Sequence, residues 1–211
     1  MKALIILHGD VTDLNLLKKL GEESDFILSA DGGTDYCIQA SLYPDLVMGD
    51  LDSISKDTLN IILKKDIPIR KFPVKKDETD SELSIDYLIK KGATYITLIG
   101  ATGNRLDHTL ANIYLLSRLN EKGVEGKIID GNNTIYLVDD ELILPKEKGT
   151  YISVVPIVEK GIIVSLKGFE YELDKAKIDF GSSQGISNSI VEPNGFIKVH
   201  EGKCLIFVSR D

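Results

Sequence analysis

The first part of the chain alternates short apolar runs with segments whose apolar residues recur at helical spacing. Buried-type strands are predicted at Ala3–Leu7, Phe26–Ser29, Leu46–Met48, Ile67–Lys71, Tyr95–Ile99 and Lys127–Asp130. Helices are predicted between them at Asp13–Leu20, Thr34–Ala40, Lys56–Lys65, Asp80–Lys91 and Asp107–Leu119. This alternation indicates an α/β domain with a mostly parallel sheet, right-handed crossovers and helices on both faces.

The pattern changes after residue 130. From Thr134 onward the sequence shows short β-rich runs, including Phe169–Leu173, Lys177–Phe180 and Ile190–Val191, separated by Gly, Asn, Asp and Pro. Strand signals at this spacing favour an antiparallel sandwich or barrel. Because Gly131-Asn132-Asn133 has the chemistry of a turn, we predict two domains, an α/β domain at 1–130 and an all-β domain at 131–211.

Four strand-to-helix junctions of the first domain carry Asp, Gly or both. They read Ala30-Asp31-Gly32-Gly33, Gly49-Asp50-Leu51-Asp52-Ser53, Lys76-Asp77-Glu78-Thr79-Asp80 and Gly100-Ala101-Thr102-Gly103-Asn104-Arg105-Leu106-Asp107-His108. Such loops converge at the carboxyl ends of parallel strands, where open α/β sheets bind ligands. Carboxylates that meet in one crevice repel one another unless a cation lies among them. The junctions therefore predict a divalent-metal site beside a phosphorylated ligand, and they point to an enzyme.

Purely structural roles are the alternative for several of these side chains. Asp52 or Ser53 can cap the helix that follows them. Thr79 and Glu82 have the spacing of a capping box, and Asp107 can cap the last helix of the domain. The sequence alone leaves both interpretations open.

The glycine-rich loop at 100–108 matches neither standard phosphate-binding fingerprint, because it lacks the Gly-Lys-Ser/Thr ending of a P-loop and does not fit G-x-G-x-x-G. Its small residues, among them Gly103 and Asn104, nevertheless expose backbone N–H groups beside a helix N-terminus, which attracts phosphate. Arg105 can add a bidentate contact. Lys76, in the preceding junction, either neutralises phosphate or belongs to a solvated charged loop.

Composition narrows the class of protein. The chain has 211 residues, 43% of them hydrophobic and 27% charged, which is typical of a soluble globular protein. A net charge of −8 argues against a nucleic-acid partner, which requires clustered Lys and Arg.

Cys37 and Cys204 lack metal-ligand spacing and are expected to be reduced thiols. No apolar stretch approaches the length of a membrane span, so we expect a cytoplasmic protein without a membrane partner.

A small polar loop, Ser182–Ser189, interrupts the β-rich half. Loops of this composition are usually turns. Its density of donors and acceptors also suits recognition of a heteroaromatic ring, and composition does not choose between the two roles.

Taken together, these elements resemble the thiamine pyrophosphokinase family over essentially the whole chain. The matching segments are the four junctions listed above, with Asn112, and the late Ile186-Ser187-Asn188. The resemblance implies an α/β nucleotide domain followed by a β-sandwich, and a homodimer with active sites between the α/β domain of one subunit and the β domain of the other. It implies transfer of pyrophosphate from ATP to thiamine.

The resemblance also implies roles for individual residues. Magnesium binding and orientation of the triphosphate are implied for Asp50, Asp52, Asp77 and Asp80. The nucleotide crevice is implied for Asp31, Gly32, Gly33, Lys76, Gly103, Asn104, Arg105, Asp107 and His108. Contact with thiamine is implied for Ser187 and Asn188.

One departure keeps alternatives open. The chain contains no Trp, whereas some members of the family stack an indole on thiamine, so that contact falls to a Tyr or Phe or is absent. A pyrophosphokinase for another heterocyclic alcohol, such as a hydroxymethylpterin, is the nearer alternative. A non-catalytic protein that binds nucleotide or thiamine is the other, although such a protein would be expected to have lost crevice carboxylates.

Overall fold

The computed structural model of the chain describes residues 1–71 and 78–210. Its contacts divide the chain into two compact units, residues 1–131 and residues 132–211. Lys76 and Asp77, which belong to the predicted site, lie outside the described residues. None of the helices in the described ranges is both long and apolar enough to cross a membrane.

The first unit alternates strands and helices, as predicted. Its strands are β1 (Lys2–Ile6), β2 (Phe26–Ala30), β3 (Leu46–Gly49), β4 (Ile69–Lys71), β5 (Tyr95–Ile99) and β6 (Glu125–Ile129). Its helices are α1 (Leu14–Glu22), α2 (Gly33–Gln39), α3 (Lys56–Lys64), α4 (Asp80–Lys90) and α5 (Leu106–Glu121). The strands form a parallel sheet in the order β4-β3-β2-β1-β5-β6. The α/β prediction is therefore confirmed.

Both faces of this sheet are covered. Residues Ala3 to Leu7 are all nearly or fully buried, and successive residues of a strand point to opposite faces. On one face, Leu4 and Ile6 pack with Leu17 of α1 and Cys37 of α2. Burial on both faces explains why the sequence shows continuous apolar runs here rather than alternation.

Helix caps decide some of the alternatives left open by the sequence. Ser55 caps α3 by accepting a hydrogen bond from the Thr58 N–H group, so neither Asp52 nor Ser53 is the cap. Thr79 caps α4 through the Glu82 N–H group, as the capping box predicts. At α5 the N-cap position belongs to Arg105, so the prediction that Asp107 caps this helix is wrong.

The strand order creates a ligand-binding crevice at a defined place. From β1 the chain proceeds outward through β2, β3 and β4, and it then returns to the other side of β1 to form β5 and β6. Loops at the carboxyl ends of strands diverge where the order reverses in this way. The switch point lies between β1 and β5.

The second unit contains only strands among its described regular elements: β7 (Asn133–Val138), β8 (Glu141–Pro145), β9 (Thr150–Pro156), β10 (Ile162–Lys167), β11 (Leu173–Ile178), β12 (Asn194–Glu201) and β13 (Cys204–Arg210). One antiparallel set is β7-β13-β9, and another is β11-β10-β12-β8. Side chains from both sets, such as Ile206 and Val164, share one buried core. This arrangement confirms the predicted β-sandwich.

One part of the β-rich half differs from the prediction. Strands were predicted at Phe169–Leu173 and Lys177–Phe180, but the structure has the single strand β11. The backbone before β11 forms only an isolated antiparallel bridge, between Phe169 and Ile190. Side chains also hold it: the Gly168 N–H group donates to Glu172 and the Tyr171 N–H group donates to Asn188. These contacts make residues 168–172 a structured loop.

Candidate active site

A cleft of about 570 Å³ opens at the carboxyl ends of the strands of the first unit. Six of the predicted site residues line it: Asp31, Asp80, Gly103, Asn104, Arg105 and His108. They come from the ends of β2 and β5 and from the first turns of α4 and α5. The crevice inferred from the junctions is thus present in the structure of the first unit.

The centre of the cleft depends on a close approach of two backbones. Beyond β1, the N–H groups of Gly9 and Asp10 donate to the carbonyls of Gly100 and Thr102, at 2.8 and 2.7 Å. A Cβ atom at Gly9 would lie 2.2 Å from the Thr102 oxygen. Only glycine allows this contact, which continues the pairing of β1 and β5 into the cleft.

Side chains of α5 hold the glycine-rich loop in place. Thr109 Oγ1 accepts a hydrogen bond from the Gly103 N–H group at 3.1 Å, and Asn112 Nδ2 donates to the Ala101 carbonyl at 2.8 Å. The Gly103 amide is therefore occupied by Thr109. Among the donors expected to meet a phosphate, this one is already used to shape the loop.

Two carboxyl groups, Asp31 and Asp80, hydrogen-bond to each other in the cleft. Asp31 has a φ of 45°, and its Oδ1 accepts a hydrogen bond from the Leu51 N–H group at 3.3 Å. Burial, with the adjacent Asp80 carboxylate next in size and a smaller effect of Asp50, raises the pKa of Asp31 to about 7. A group held in strained backbone with a raised pKa is typical of a functional site.

The Asp50-Leu51-Asp52-Ser53 loop lies next to this pair. Asp50 Oδ1 accepts a hydrogen bond from the Asp52 N–H group at 3.1 Å, and Asp52 Oδ1 accepts one from Ser53 Oγ at 2.9 Å. Of this loop, Ser53 lines the cleft, whereas Asp50 and Asp52 do not. Asp50 is nonetheless close enough to influence the pKa of Asp31.

No three His, Cys, Asp or Glu side chains within residues 1–71 and 78–210 form a group able to hold a metal ion by themselves. Mg²⁺ is usually bound by one or two carboxylates, with water and substrate phosphates supplying the remaining oxygens. The carboxylates of this site would therefore not enclose Mg²⁺ on their own. The carboxylates here fit an ion that is shared with a phosphorylated ligand.

Arg105 and Asp107 form an exposed ion pair at the start of α5, with 2.7 Å between the guanidinium Nη2 and the carboxylate. The hydrogen bond from Arg105 lowers the pKa of Asp107. Asp107 does not line the cleft, whereas Arg105 does. The carboxylate therefore orients the guanidinium, which remains the principal cation of the described cleft lining.

Helix α4, which supplies Asp80, is fastened to α5 by one arginine. Arg118 makes two hydrogen bonds of 2.7 Å to Asp86 and a 2.9 Å contact to Glu82. Its hydrogen bonds lower the pKa of Asp86. This clamp fixes the helix whose first residue places a carboxylate in the cleft.

Gly32 and Gly33 shape the backbone between β2 and α2 and do not line the cleft. A Cβ atom at Gly33 would lie 2.3 Å from the Ile6 carbonyl oxygen, so the helix begins in contact with β1. Gly32 and Gly33 would affect the binding of a ligand through the position that they give to Asp31.

Ser187 and Asn188 belong to the second unit and have different environments. Ser187 is exposed, with a φ of 60°. Asn188 is only 6% exposed, and its side-chain amide is hydrogen-bonded to both the N–H group and the carbonyl of Tyr171, at 3.1 and 2.7 Å. Asn188 therefore holds the Tyr171 backbone, while the Tyr171 residue is 67% exposed.

The cleft also contains residues that the sequence reasoning missed, chiefly His8, Asp10 and Thr109. His8-Gly9-Asp10 follows the first strand and carries the same Gly and Asp pattern as the four junctions that were recognised. That pattern could have identified it. Most of the residues that line the cleft with His8 are distant from it in the sequence.

A parallel sheet with an acidic, glycine-lined cleft at its switch point, followed by a β-sandwich, defines an α/β enzyme that acts on a phosphorylated ligand. Comparison with known proteins agrees with this class. Residues 17–128 match the model for the thiamin pyrophosphokinase catalytic domain, and residues 140–204 match the model for its vitamin B1 binding domain. The chain belongs to the thiamin pyrophosphokinase family.

Individual relatives match over the full length. A thiamine pyrophosphokinase of Bacillus subtilis is 30% identical over 216 residues and covers 100% of both chains. The crystal structure of thiamine pyrophosphokinase from Bacillus subtilis superimposes with a TM-score of 0.89 at 28% identity, again over 100% of both chains. The Geobacillus thermodenitrificans structure gives a TM-score of 0.86 at 27% identity, covering 100% of this chain and 98% of that one.

The raised pKa of Asp31 predicts that this residue destabilises the metal-free protein at neutral and alkaline pH. A raised folded-state pKa contributes stability below the unfolded value, and this contribution is lost as pH rises from about 4 through about 7. Asp31→Asn, which stays neutral, should therefore increase the free energy of unfolding by about 1–2 kcal/mol above pH 7, a figure reduced for solvent screening.

Urea unfolding in EDTA at pH 4.5 and pH 8 measures this difference. The exposed Asp174→Asn variant removes the same charge from the second unit and serves as the control. A gain of equal size at both pH values, or a loss at pH 8, would contradict the prediction.

Proposed function

We propose that the chain transfers pyrophosphate from ATP to the hydroxyethyl group of thiamine, which yields thiamine diphosphate and AMP. The observation that carries this proposal is the match of both thiamin pyrophosphokinase domain models, in order, within one chain. The vitamin B1 binding match favours thiamine over a hydroxymethylpterin as acceptor. A non-catalytic nucleotide-binding protein is likewise not favoured, because the catalytic-domain model matches the segment that contains the cleft.

The reaction replaces one P–O bond with another. The hydroxyethyl oxygen of thiamine attacks the β-phosphorus of ATP, and the bond from that phosphorus to the oxygen bridging the α- and β-phosphates breaks. AMP leaves with the bridging oxygen, and the hydroxyl proton passes to a base. Alignment and charge neutralisation supply most of the catalysis in such transfers. Of the carboxylates assigned here, Asp80 is the one in the described cleft that we propose as proton acceptor, with Asp77 as the alternative.

We assign Mg²⁺ binding to Asp50, Asp52, Asp77 and Asp80, together with phosphate oxygens of ATP. The donor chemistry supports this assignment, because carboxylate oxygens suit Mg²⁺. The raised pKa of Asp31 supports it too, since after burial its next cause is the neighbouring carboxylate of Asp80. When bound, the ion would neutralise charge between these carboxylates and the triphosphate.

The nucleotide is assigned to the crevice lined by Asp31 and the glycine-rich loop. We propose that Arg105 donates to a phosphate; its place in the cleft lining and its ion pair with Asp107 support this role. The remaining proposed members of this subsite are Gly32, Gly33, Lys76, Gly103, Asn104 and His108.

Thiamine is assigned to the second unit, at Ser187 and Tyr171. Asn188, first assigned to direct contact, has its amide committed to the Tyr171 backbone, so we propose that it positions the tyrosine. Tyr171 is the exposed aromatic residue that is bonded to the predicted thiamine-binding segment. Its ring would stack on thiamine in a chain that contains no Trp.

We further propose a homodimer whose active sites each use the α/β unit of one subunit and the β unit of its partner, as the resemblance implies. A cytoplasmic location is also proposed. Cys37 and Cys204 are buried free thiols, the state that a reducing compartment maintains.

The products test the reaction directly. Incubation with ATP, thiamine and Mg²⁺ should release AMP and thiamine diphosphate in equal amounts, because a single displacement at the β-phosphorus forms both. Chromatography of the nucleotides measures this outcome, and excess EDTA should abolish it. Release of ADP, equal activity with a hydroxymethylpterin, or activity indifferent to EDTA would contradict the proposal.

The metal-binding loop is tested by Asp50→Ala and Asp52→Ala. Each should lower kcat by on the order of 100-fold, because the triphosphate would be misaligned. The free energy of unfolding should change by no more than about 1 kcal/mol, since neither carboxylate supports the core. The control is Asp57→Ala, an exposed carboxylate in the first turn of α3, which should keep near-normal kcat. Near-normal activity of either loop variant would show that the metal assignment is wrong.

The aromatic contact is tested by Tyr171→Ala and Tyr171→Phe. Loss of the ring should raise the KM for thiamine about tenfold while the KM for ATP stays unchanged, because stacking involves only the acceptor. The Phe variant keeps the ring and should resemble the wild type. Steady-state kinetics with each substrate varied separately provide the measurement, and equal changes in both KM values would argue for a structural effect instead.

A further inference from the structure

His8 is a residue of the cleft that the proposed function does not use. It follows β1, the strand beside the switch point, and its side chain lines the cleft together with Asp31 and Arg105. The residue is exposed. His8 is therefore available to contact a nucleotide bound in this cleft.

The backbone on both sides of His8 is fixed. The Leu7 N–H group donates to the Ile99 carbonyl, and the Gly9 N–H group donates to the Gly100 carbonyl, each at 2.8 Å. These bonds attach His8 to the carboxyl end of β5 and to the glycine-rich loop. The backbone position from which the imidazole extends is therefore well defined.

One face of the His8 ring rests on Gly32. A Cβ atom built on Gly32 would lie 2.4 Å from Cδ2, 2.4 Å from Nε2 and 2.5 Å from Cε1 of His8. Three adjacent ring atoms at nearly equal distances place that point above the ring plane, because an approach along the edge at Nε2 would leave the other two atoms farther away. Only glycine leaves room for this packing. Because His8 is exposed and lines the cleft, the opposite ring face is the one that a ligand there could reach.

The composition of the cleft indicates what would meet that face. Among the described lining residues, the imidazoles of His8 and His108 are the aromatic rings, and four others are acidic: Asp10, Asp31, Glu78 and Asp80. Acidic walls repel bare phosphate, whereas a flat heteroaromatic base gains from stacking on a ring. His8 is already held by Gly32, so little side-chain freedom would be lost on binding.

We infer that the free face of His8 is the stacking platform for the purine base of the nucleotide bound in this cleft. This inference rests on the proposed use of ATP. It gives His8 a role in nucleotide affinity and base selectivity, and no role in the chemical step.

Proton NMR of the imidazole ring protons tests the contact. The chain has three histidines, so few signals need assignment, and His8→Phe identifies those of His8. Adenosine and AMP should move the His8 signals upfield through the ring current of the base, whereas ribose 5-phosphate should not. His200, whose Nε2 is hydrogen-bonded to Ser165 in the second unit, is the internal reference. His8 signals that respond equally to ribose 5-phosphate would overturn the inference.

Binding of AMP by calorimetry to three variants separates stacking from polar contact. His8→Phe keeps a flat ring and should bind AMP nearly as the wild type does. His8→Gln and His8→Ala lose the ring and should bind about tenfold more weakly, at the low end of base–aromatic stacking effects. If Gln retains affinity and Phe loses it, His8 donates to phosphate and the stacking inference fails. Thermal unfolding of each variant checks that the fold is retained.

Failure of the inference and failure of the proposed function give different results. A wild-type protein that neither binds AMP nor produces it from ATP would overturn the proposed function. A wild-type protein that does both, with AMP affinity unchanged in His8→Ala, would overturn only the role of His8.

Discussion

The close approach of the backbones that follow β1 and β5 is the constraint on which the cleft depends. Gly9 and Gly100 allow carbonyl and amide groups to pair where side chains would collide. This pairing extends the centre of the sheet into the crevice and fixes the glycine-rich loop on one side. It also positions His8 against Gly32. A larger residue at Gly9 would separate the two segments and displace every group attached to them.

The second feature of the cleft is concentrated negative charge. Asp31 and Asp80 share a hydrogen bond, with Asp50 nearby, and burial followed by the effect of these carboxylates raises the pKa of Asp31. This arrangement is unfavourable for the free protein, and it is where we propose that a cation binds together with phosphate. The Arg118 clamp between α4 and α5 keeps Asp80 in position against that repulsion. Contacts outside the cleft, such as those of Arg118, thus hold its carboxyl groups close together despite their repulsion.

In the second unit, the buried side-chain amide of Asn188 fixes the loop that contains Tyr171. Asn188 satisfies both backbone groups of Tyr171, so a loop that belongs to no regular strand is still held in one conformation. A buried amide that is fully hydrogen-bonded specifies one conformation, because leaving its partners unpaired would be costly. The result is an exposed aromatic residue on a rigid support.

Much of this organisation follows from the sequence. The apolar runs and helical spacings located the helices and most of the strands of both units, because backbone burial and periodicity are local properties. The exceptions are the loop before β11 and the run Ile190–Val191, which forms only an isolated bridge. The junction residues indicated where the strands end, and the order of the strands then placed Asp31, Asp80 and Arg105 in one crevice. The tertiary structure decided the rest. His8 packs on Gly32 and Asn188 holds Tyr171 through contacts between segments distant along the chain. The cap of α3 is a local bond from Thr58 to Ser55, but Ser55 is itself held by Asp35 of α2. Hydrophobic periodicity carries no information about such contacts, since each is settled by the distance between atoms that only the folded chain brings together.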